Sequence, residues 1–205
     1  MERTFKEALR HRRSYYALAP ESLVTDAEIE EILRWSVKYV PSAFNSQSTR
    51  LVLLLGAQHG RLWSLVKDTL RPIVPAAAFP RTERKIDTAF ASGYGTVLFF
   101  EEEAVVRTLQ QQYPEYADNF PHWSEQTSAM HQLVVWTMLE DAGFGASLQH
   151  YNPLIDDEVR REWKLPATWR LVAQMPFGRP LDHPAEKSFE PLDARIRIFG
   201  DESDR

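Results

Sequence analysis

Apolar residues recur at helical spacing in six stretches of the chain and predict six helices. The first two begin at Thr4 and Thr25, each followed three residues later by a glutamate, which is the capping-box pattern of a helix N-terminus. The longest stretch, 124–142, is apolar on more than one face, which is typical of a buried helix. The other three helices are predicted at 58–70, at 81–90, and from Asp156 or Asp157 to Trp163.

Short aliphatic and aromatic runs between these helices predict strands. Residues 51–55 are an unbroken aliphatic run before Gly56, and residues 96–100, after Gly95, are β-branched, aliphatic and aromatic, as in buried strands. A third strand and its turn are predicted at 169–178. Charged and apolar residues alternate from Arg195 to Phe199, which predicts a final edge strand with one buried face. The residues after it, 201–205, are polar and predict a loose tail.

Composition favours one soluble domain over the whole chain, 1–205. Hydrophobic residues are 43% and charged residues 26%, so a packed core is expected. A net charge of −5 argues against a nucleic-acid-binding protein. The sequence has no cysteine, which excludes disulfides, thiolate catalysis and cysteine-ligated metals. Because no signal peptide and no apolar run of ~20 residues is found, we expect a cytoplasmic protein without a membrane segment.

A polar loop, Pro41–Thr49, precedes the first predicted strand directly. Its small hydroxyl and amide side chains can offer hydrogen bonds to a planar polar ligand. The plainer interpretation is a Ser/Asn/Pro turn that leads into the strand.

A basic cluster ends the first helix, and Arg12, Arg13 and Ser14 form its core. Cations stabilise a helix C-terminus through the helix dipole, which would explain the cluster without a ligand. Two arginines and a hydroxyl are also suited to binding a phosphate.

Aromatic residues alternate with polar residues and prolines in 110–123, which is not a core pattern. This segment is either a surface loop packed by its own rings or a lid over a flat ligand. His122 and His131 are acid/base or metal candidates, but no second ligand at a fixed helical spacing accompanies them, so no metal site is predicted. The three acids 101–103 are interpreted as a solvated run at a helix start.

The order of these motifs resembles the nitroreductase superfamily. Arg12-Arg13-Ser14 resembles its RRS element, and Pro41–Gln47 resembles its PS-x-x-N-x-Q loop, about 30 residues later. The segment 141–150 gives a third match, and 178–180 followed by Lys187 gives a fourth. The resemblance implies an α+β fold with a central antiparallel or mixed sheet flanked by helices. It also implies FMN as cofactor and an intertwined homodimer with the flavin sites at the interface.

The resemblance also assigns residues to roles. The flavin contacts would be Arg12, Arg13, Ser14, Tyr16, Pro41, Ser42, Phe44, Asn45, Gln47, Gly145, Ala146, Ser147 and Lys187. The substrate mouth would include Tyr116, Phe120 and Trp123. No side chain is assigned to direct catalysis, because the flavin performs the hydride transfer.

Two positions depart from the usual family pattern. Phe189 stands where a second phosphate cation is expected, so Lys187, Arg12 and Arg13, or Arg195, would carry that role. Tyr16 stands where many relatives have a cation near flavin N1. These departures resemble a smaller subgroup that includes the fatty-acid-repression-mutant proteins.

The function implied is an FMN-dependent NAD(P)H oxidoreductase, which takes hydride from NADH or NADPH and passes it to a nitroaromatic or quinone-like acceptor by a ping-pong cycle. One alternative is an FMN-binding regulatory or redox-sensing protein with little turnover. Another is a cofactor-free helical interaction domain in which the motif matches are chance.

Overall fold

The computed structural model describes residues 3–200. They form an α+β fold with a five-stranded antiparallel sheet and, within this range, seven α-helices. The helices are α1 (Phe5–His11), α2 (Asp26–Tyr39), α3 (Gly56–Leu70), α4 (Phe79–Ala89), α5 (Glu103–Gln112), α6 (Phe120–Asp141) and α7 (Asp156–Glu162). The strands are β1 (Leu18–Ala19), β2 (Thr49–Leu55), β3 (Gly95–Glu102), β4 (Gly145–Ala146) and β5 (Trp169–Pro180). The fold class predicted from the sequence is confirmed.

The sheet is built around β5, which pairs with three other strands. Its order is β1-β5-β3-β2, and β4 also pairs with β5, on the edge opposite β3. The β2–β3 ladder runs from Thr49 opposite Glu101 to Leu55 opposite Gly95 without a shift. Within residues 3–200 no strand pairs with the outer edge of β2, so β2 ends the sheet with an open edge.

Two apolar cores lie on opposite faces of this sheet because side chains alternate along each strand. On β3, Leu98 and Phe100 face the core under α3, α4 and α7, whereas Val97 and Phe99 face the core under α2 and α6. The long helix α6 is therefore buried on the side that faces this core, but Met130 and Leu133 are exposed, so the prediction of a helix buried on nearly every face is only partly confirmed. No helix in residues 3–200 is long and apolar enough to span a bilayer.

The structure corrects the prediction of a final strand. Residues 195–199 form no strand in this chain, and Ile196, Ile198 and Phe199 are 55%, 81% and 89% exposed. An alternating segment becomes a strand only where it meets a sheet edge, and this one meets none in its own chain. The two-residue strands β1 and β4 were not predicted, because each is too short to show a period. The predicted loose tail, 201–205, lies outside the described residues.

Candidate functional site

The C-terminal end of α6 holds the Arg12-Arg13-Ser14 element. The backbone N–H of Arg13 donates to both carboxylate oxygens of Glu140, at 2.9 and 2.8 Å. The indole Nε1 of Trp136 donates to the same carboxylate at 3.0 Å. The guanidinium of Arg12 lies 4.4 Å from the centre of the Trp136 ring. The chain leaving α1 is thus fixed to α6 by one buried acid and one aromatic ring.

The small-residue segment after α6 packs directly against this element. Ser14 pairs with Ala146 as a parallel bridge, and the N–H of Tyr15 donates to the Ala146 carbonyl at 2.9 Å. A Cβ at Gly145 would lie 2.8 Å from Tyr15, so close packing alone requires glycine there. Ser147 follows, fully buried. Two motifs about 130 residues apart in the sequence therefore meet at one place.

Lys187 belongs to an exposed segment that returns to the same end of α6. The Arg13 guanidinium donates to the backbone carbonyl of Ala185, two residues before Lys187. The Lys187 ammonium lies 5.4 Å from the centre of the Phe189 ring. Tyr16 is half-exposed beside this group. The structure thus brings together most of the residues that sequence reasoning assigned to a phosphate, and Arg195 is exposed further along the chain.

The polar loop before β2 lies at the other end of α6. It contains a short 3₁₀ turn, Ala43–Asn45, and the Ser42 hydroxyl accepts from the N–H of Gln47 at 3.0 Å. Phe44, Asn45 and Gln47 have positive φ angles of 55°, 50° and 49°. Non-glycine residues adopt this conformation at a cost, and such strain concentrates at functional sites. Asn45 and Gln47 are exposed, so their side chains face outward from this chain.

The Phe44 ring lies at the centre of an aromatic cluster. Its neighbours are Tyr113, Tyr116, Phe120 and Trp123, with ring centres 4.9, 5.8, 5.2 and 5.9 Å away. Trp123 is nearly parallel to Phe44, at 19°. Phe120 is buried, whereas Tyr116 is exposed. The segment interpreted as a loop or lid is instead the end of α5, a 3₁₀ turn and the first turn of α6; a role as a lid stays a prediction.

These two groups of candidate residues lie far apart in one chain. Phe44 packs on Phe120 and Trp123 at the start of α6, and Arg13 binds Glu140 at its end. A rise of 1.5 Å per residue places Phe120 and Glu140 about 30 Å apart. No single small ligand reaches both groups within one chain.

Comparisons with known proteins identify the family of this chain. The family model described as "Nitroreductase family" matches residues 9–179. The chain belongs to the nitroreductase family. It is 33% identical to the putative nitroreductase HBN1 of Saccharomyces cerevisiae over 195 residues, 94% of this chain and 96% of that protein. It is also 34% identical over 190 residues to nitroreductase FRM2 of the same yeast, covering 90% and 92%.

A solved structure extends the similarity to the fold. Nitroreductase CinD from Lactococcus lactis, solved in complex with nicotinic acid, superposes with a TM-score of 0.89 at 41% identity. The match covers 96% of this chain and all of that one. The protein is therefore an oxidoreductase of the nitroreductase type, and proteins of this family generally bind a flavin.

The sequence of this nitroreductase did not identify Glu140 as a candidate residue. Burial raises the pKa of Glu140 to about 8, although the N–H of Arg13 and the Arg12 guanidinium both favour the ionised form. The available signal was an acid inside the most apolar helix, four residues after a tryptophan that can donate to it.

Glu140 should make the stability of the nitroreductase depend on pH. Its pKa in the folded protein lies above that of an unfolded glutamate, so the folded state binds more protons between about pH 4.5 and pH 8. The free energy of unfolding therefore falls as pH rises through this window, and each pKa unit corresponds to about 1.4 kcal/mol. Urea unfolding of wild type and Glu140→Gln at pH 5, 6, 7 and 8 should show that the free energy of unfolding of the variant rises relative to that of wild type as pH rises. If the free energies of the two proteins change with pH in parallel, the assignment to Glu140 is contradicted.

Glu101 corrects the interpretation of the acidic run. It lies in β3, fully buried, and accepts from the hydroxyls of Ser48 and Thr49, the latter at 2.6 Å. Burial raises its pKa. Glu102 then caps α5 by accepting from the N–H of Ala104. Only the end of the run, Glu103, starts a helix as interpreted.

His131 lies on α6 beside this network, with its Nδ1 2.9 Å from the Thr127 carbonyl and 3.3 Å from the Thr49 hydroxyl. Burial lowers the pKa of His131. The buried acid Glu101 thus anchors the last two residues of the polar loop, Ser48 and Thr49. Across residues 3–200, no group of three histidine, aspartate or glutamate side chains is placed to hold a metal ion.

Proposed function

We propose that this nitroreductase is an FMN-dependent NAD(P)H oxidoreductase that reduces nitroaromatic or quinone-like acceptors, and that it acts as a homodimer with two flavin sites at the interface. The observation that carries the proposal is the separation of the two candidate groups at opposite ends of α6. Each group has exposed polar side chains and lacks the other half of a cofactor site.

A twofold dimer would join the two halves. If α6 packs antiparallel to α6 of a second copy, the polar loop of one protomer lies near the arginines of its partner. A twofold axis makes this happen twice, so two complete sites form from two incomplete ones. Met130 and Leu133, both exposed on α6, provide apolar surface for such packing.

A second feature supports the dimer. The outer edge of β2 is open in the described chain, and beside it runs a groove of about 460 Å³ whose lining includes Leu51, Leu53 and Leu55 of β2 together with Glu30, Arg34 and Gln58. The alternating segment 195–199 is exposed and pairs with no strand of its own chain, so such an edge would suit it. Exchange of this segment between two copies would add a strand to each sheet and cover both apolar surfaces.

The residues present fit a flavin phosphate. The Nε of Arg12 is buried and has no hydrogen-bond partner within residues 3–200, and buried polar groups normally have one. Arg12, Arg13, Ser14 and Lys187 would hold the phosphate end. Ser42, Asn45 and Gln47 of the partner loop would hold the ring edge or the ribityl chain, and Gly145–Ser147 would lie beneath the ring. The roles of Tyr16, Pro41 and Phe44 as further contacts stay predictions.

FMN, when bound, supplies the hydride-transfer chemistry. The protein would bind and orient it, and Arg12 or Arg13 would stabilise negative charge on the reduced ring. The donor and the acceptor would occupy the same open face in turn, beside Tyr116, Phe120 and Trp123. Ligands of CinD support this assignment, because its structures contain nicotinic acid, 4-nitrophenol and chloramphenicol.

A regulatory protein that binds FMN with little turnover is the second candidate. It is favoured by Phe189, an exposed aromatic residue at the position where a second phosphate cation is expected. Its discriminating property would be bound flavin without acceptor-dependent oxidation of NAD(P)H.

The first test is the visible spectrum of the purified protein, recorded before and after adding NADH or NADPH without air. We expect flavin bands that bleach with one of the two donors and return when a nitroaromatic acceptor is added. Bands that persist with both donors would favour the regulatory protein. Absence of flavin bands after incubation with FMN would overturn the proposal.

A further inference from the structure

We propose that Glu140 is a positioning residue for the phosphate end of the flavin site. It would act by holding Arg12 and Arg13 in the orientation that binds the phosphate. The inference rests on the proposed function for the identity of the ligand. Its geometric part rests on four groups of this chain: the Glu140 carboxylate, the backbone of Arg13, the indole of Trp136 and the guanidinium of Arg12.

The first step is the connection to Arg13. Glu140 is almost fully buried and receives the Arg13 N–H on both of its oxygens. This contact lies just after the end of α1, where the chain leaves helical geometry at Arg12. A fixed N–H at this point determines where the chain turns toward Ser14 and where the Arg13 side chain begins.

The second step is the connection to Arg12. Glu140 fixes the indole of Trp136 through a hydrogen bond four residues back along α6. The Arg12 guanidinium lies against the face of that indole, which sets its plane. Its Nε is buried without a hydrogen-bond partner in the described residues. The guanidinium is therefore held in a fixed orientation with one hydrogen-bond donor unused. A guanidinium held in this way is suited to an incoming anion.

An ion pair with His11 does not explain the buried acid. His11 Nδ1 is 3.8 Å from Glu140, but burial and Arg3 lower the pKa of His11, which disfavours the charged imidazole that an ion pair requires. The neighbouring acid, Asp141, makes the ordinary structural pair instead, with Arg3 at 2.8 Å. Asp141 therefore provides a matched control on the same helix.

An electrostatic role and a positioning role of Glu140 predict different effects of a neutral substitution on FMN affinity. Where Glu140 is ionised, above its pKa of about 8, its charge beside two arginines would weaken their attraction for a phosphate, so a purely electrostatic role predicts tighter FMN binding in Glu140→Gln and Glu140→Ala alike. A positioning role predicts that glutamine, whose carbonyl still accepts hydrogen bonds, retains binding, whereas alanine does not.

The test compares FMN with riboflavin, which lacks the phosphate. Flavin-free protein is titrated with each compound while flavin fluorescence is followed, for wild type, Glu140→Ala, Glu140→Gln and Asp141→Asn. We expect Glu140→Ala to bind FMN about tenfold more weakly with riboflavin affinity almost unchanged. Glu140→Gln and Asp141→Asn should stay within about threefold of wild type for both compounds. A general loss of structure would not change the ratio of the two affinities.

The contrary outcomes are distinct. Equal weakening of FMN and riboflavin in Glu140→Ala, or tighter FMN binding in both Glu140 variants, would overturn the role of Glu140 while leaving the proposed function in place. A wild-type protein that binds neither compound would overturn the proposed function and this role with it. If Glu140→Ala does not fold, Trp136→Phe removes the indole donor and keeps a ring under Arg12; it should still weaken FMN selectively, and an unchanged FMN-to-riboflavin ratio would contradict the proposal.

Discussion

Removal of residues 191–205 is expected to give a monomer that does not retain flavin. The deletion takes away the segment proposed to add a strand to the β2 edge of the partner, and with it the apolar side chains Ile196, Ile198 and Phe199. Lys187 stays in place but Arg195 is lost, so the Ile198→Asp variant below, which keeps both residues, tests the loss of flavin without removing a candidate phosphate cation. Light scattering after size-exclusion chromatography gives the mass, and the ratio of visible to ultraviolet absorbance gives the flavin content.

Two point substitutions refine this prediction. Ile198→Asp places a charge on the apolar side of the alternating segment and should act like the deletion. Arg197→Gln, one residue away on the opposite side, should remain dimeric and keep its bound flavin, because side chains alternate in a strand. A dimeric, flavin-bound deletion protein would refute the strand exchange, and the interface would then have to rest on α6 alone.

Replacement of Trp123 by alanine is expected to have the largest effect of a single substitution on acceptor reduction. Trp123 is half-buried and stacks on Phe44, so its exposed face continues the aromatic surface beside the proposed flavin face. Loss of a large ring that packs on a planar acceptor costs about 2 kcal/mol. We expect kcat/KM for 4-nitrophenol to fall about 30-fold.

The reductive half of the cycle tests whether the donor uses the same ring. Anaerobic bleaching of the bound flavin by NAD(P)H should also slow in Trp123→Ala, because donor and acceptor are proposed to occupy the same face in turn. His122→Ala is the control, since His122 is the adjacent exposed residue and bonds to Gln126 within α6. Loss of bound flavin in Trp123→Ala would show that Trp123 supports the polar loop through Phe44 rather than the ligands of the open face.

Local patterns were sufficient to predict most of the fold. The capping boxes at Thr4 and Thr25 are present, and the aliphatic runs became β2 and β3. These features depend on residues close in sequence. The start of α6 was predicted four residues late, because Phe120 and Pro121 look like loop residues and Pro121 occupies the first turn, where proline is tolerated.

Features that depend on residues far away in the sequence, or on a second protein chain, could not be predicted from local patterns. The alternation in 195–199 shows that the segment can form a strand but not which edge receives it. Glu101 looked solvated because its partners, Ser48 and Thr49, are about 50 residues away in the sequence. The motif resemblance named the residues of both candidate groups, but only the structure shows that α6 keeps them apart.

The central position of β5 has a consequence for how the chain is synthesised. β3 ends at residue 102 and β5 begins at residue 169, so translation at 5–20 residues per second leaves one edge of β3 uncovered for about 3 to 13 seconds. During that interval Val97 and Phe99 have no strand beside them on that edge. α6 is made in the same interval and packs over the face that carries these two side chains. Helix α6, which covers this face of β3, is therefore synthesised before β5, the strand that closes the open edge.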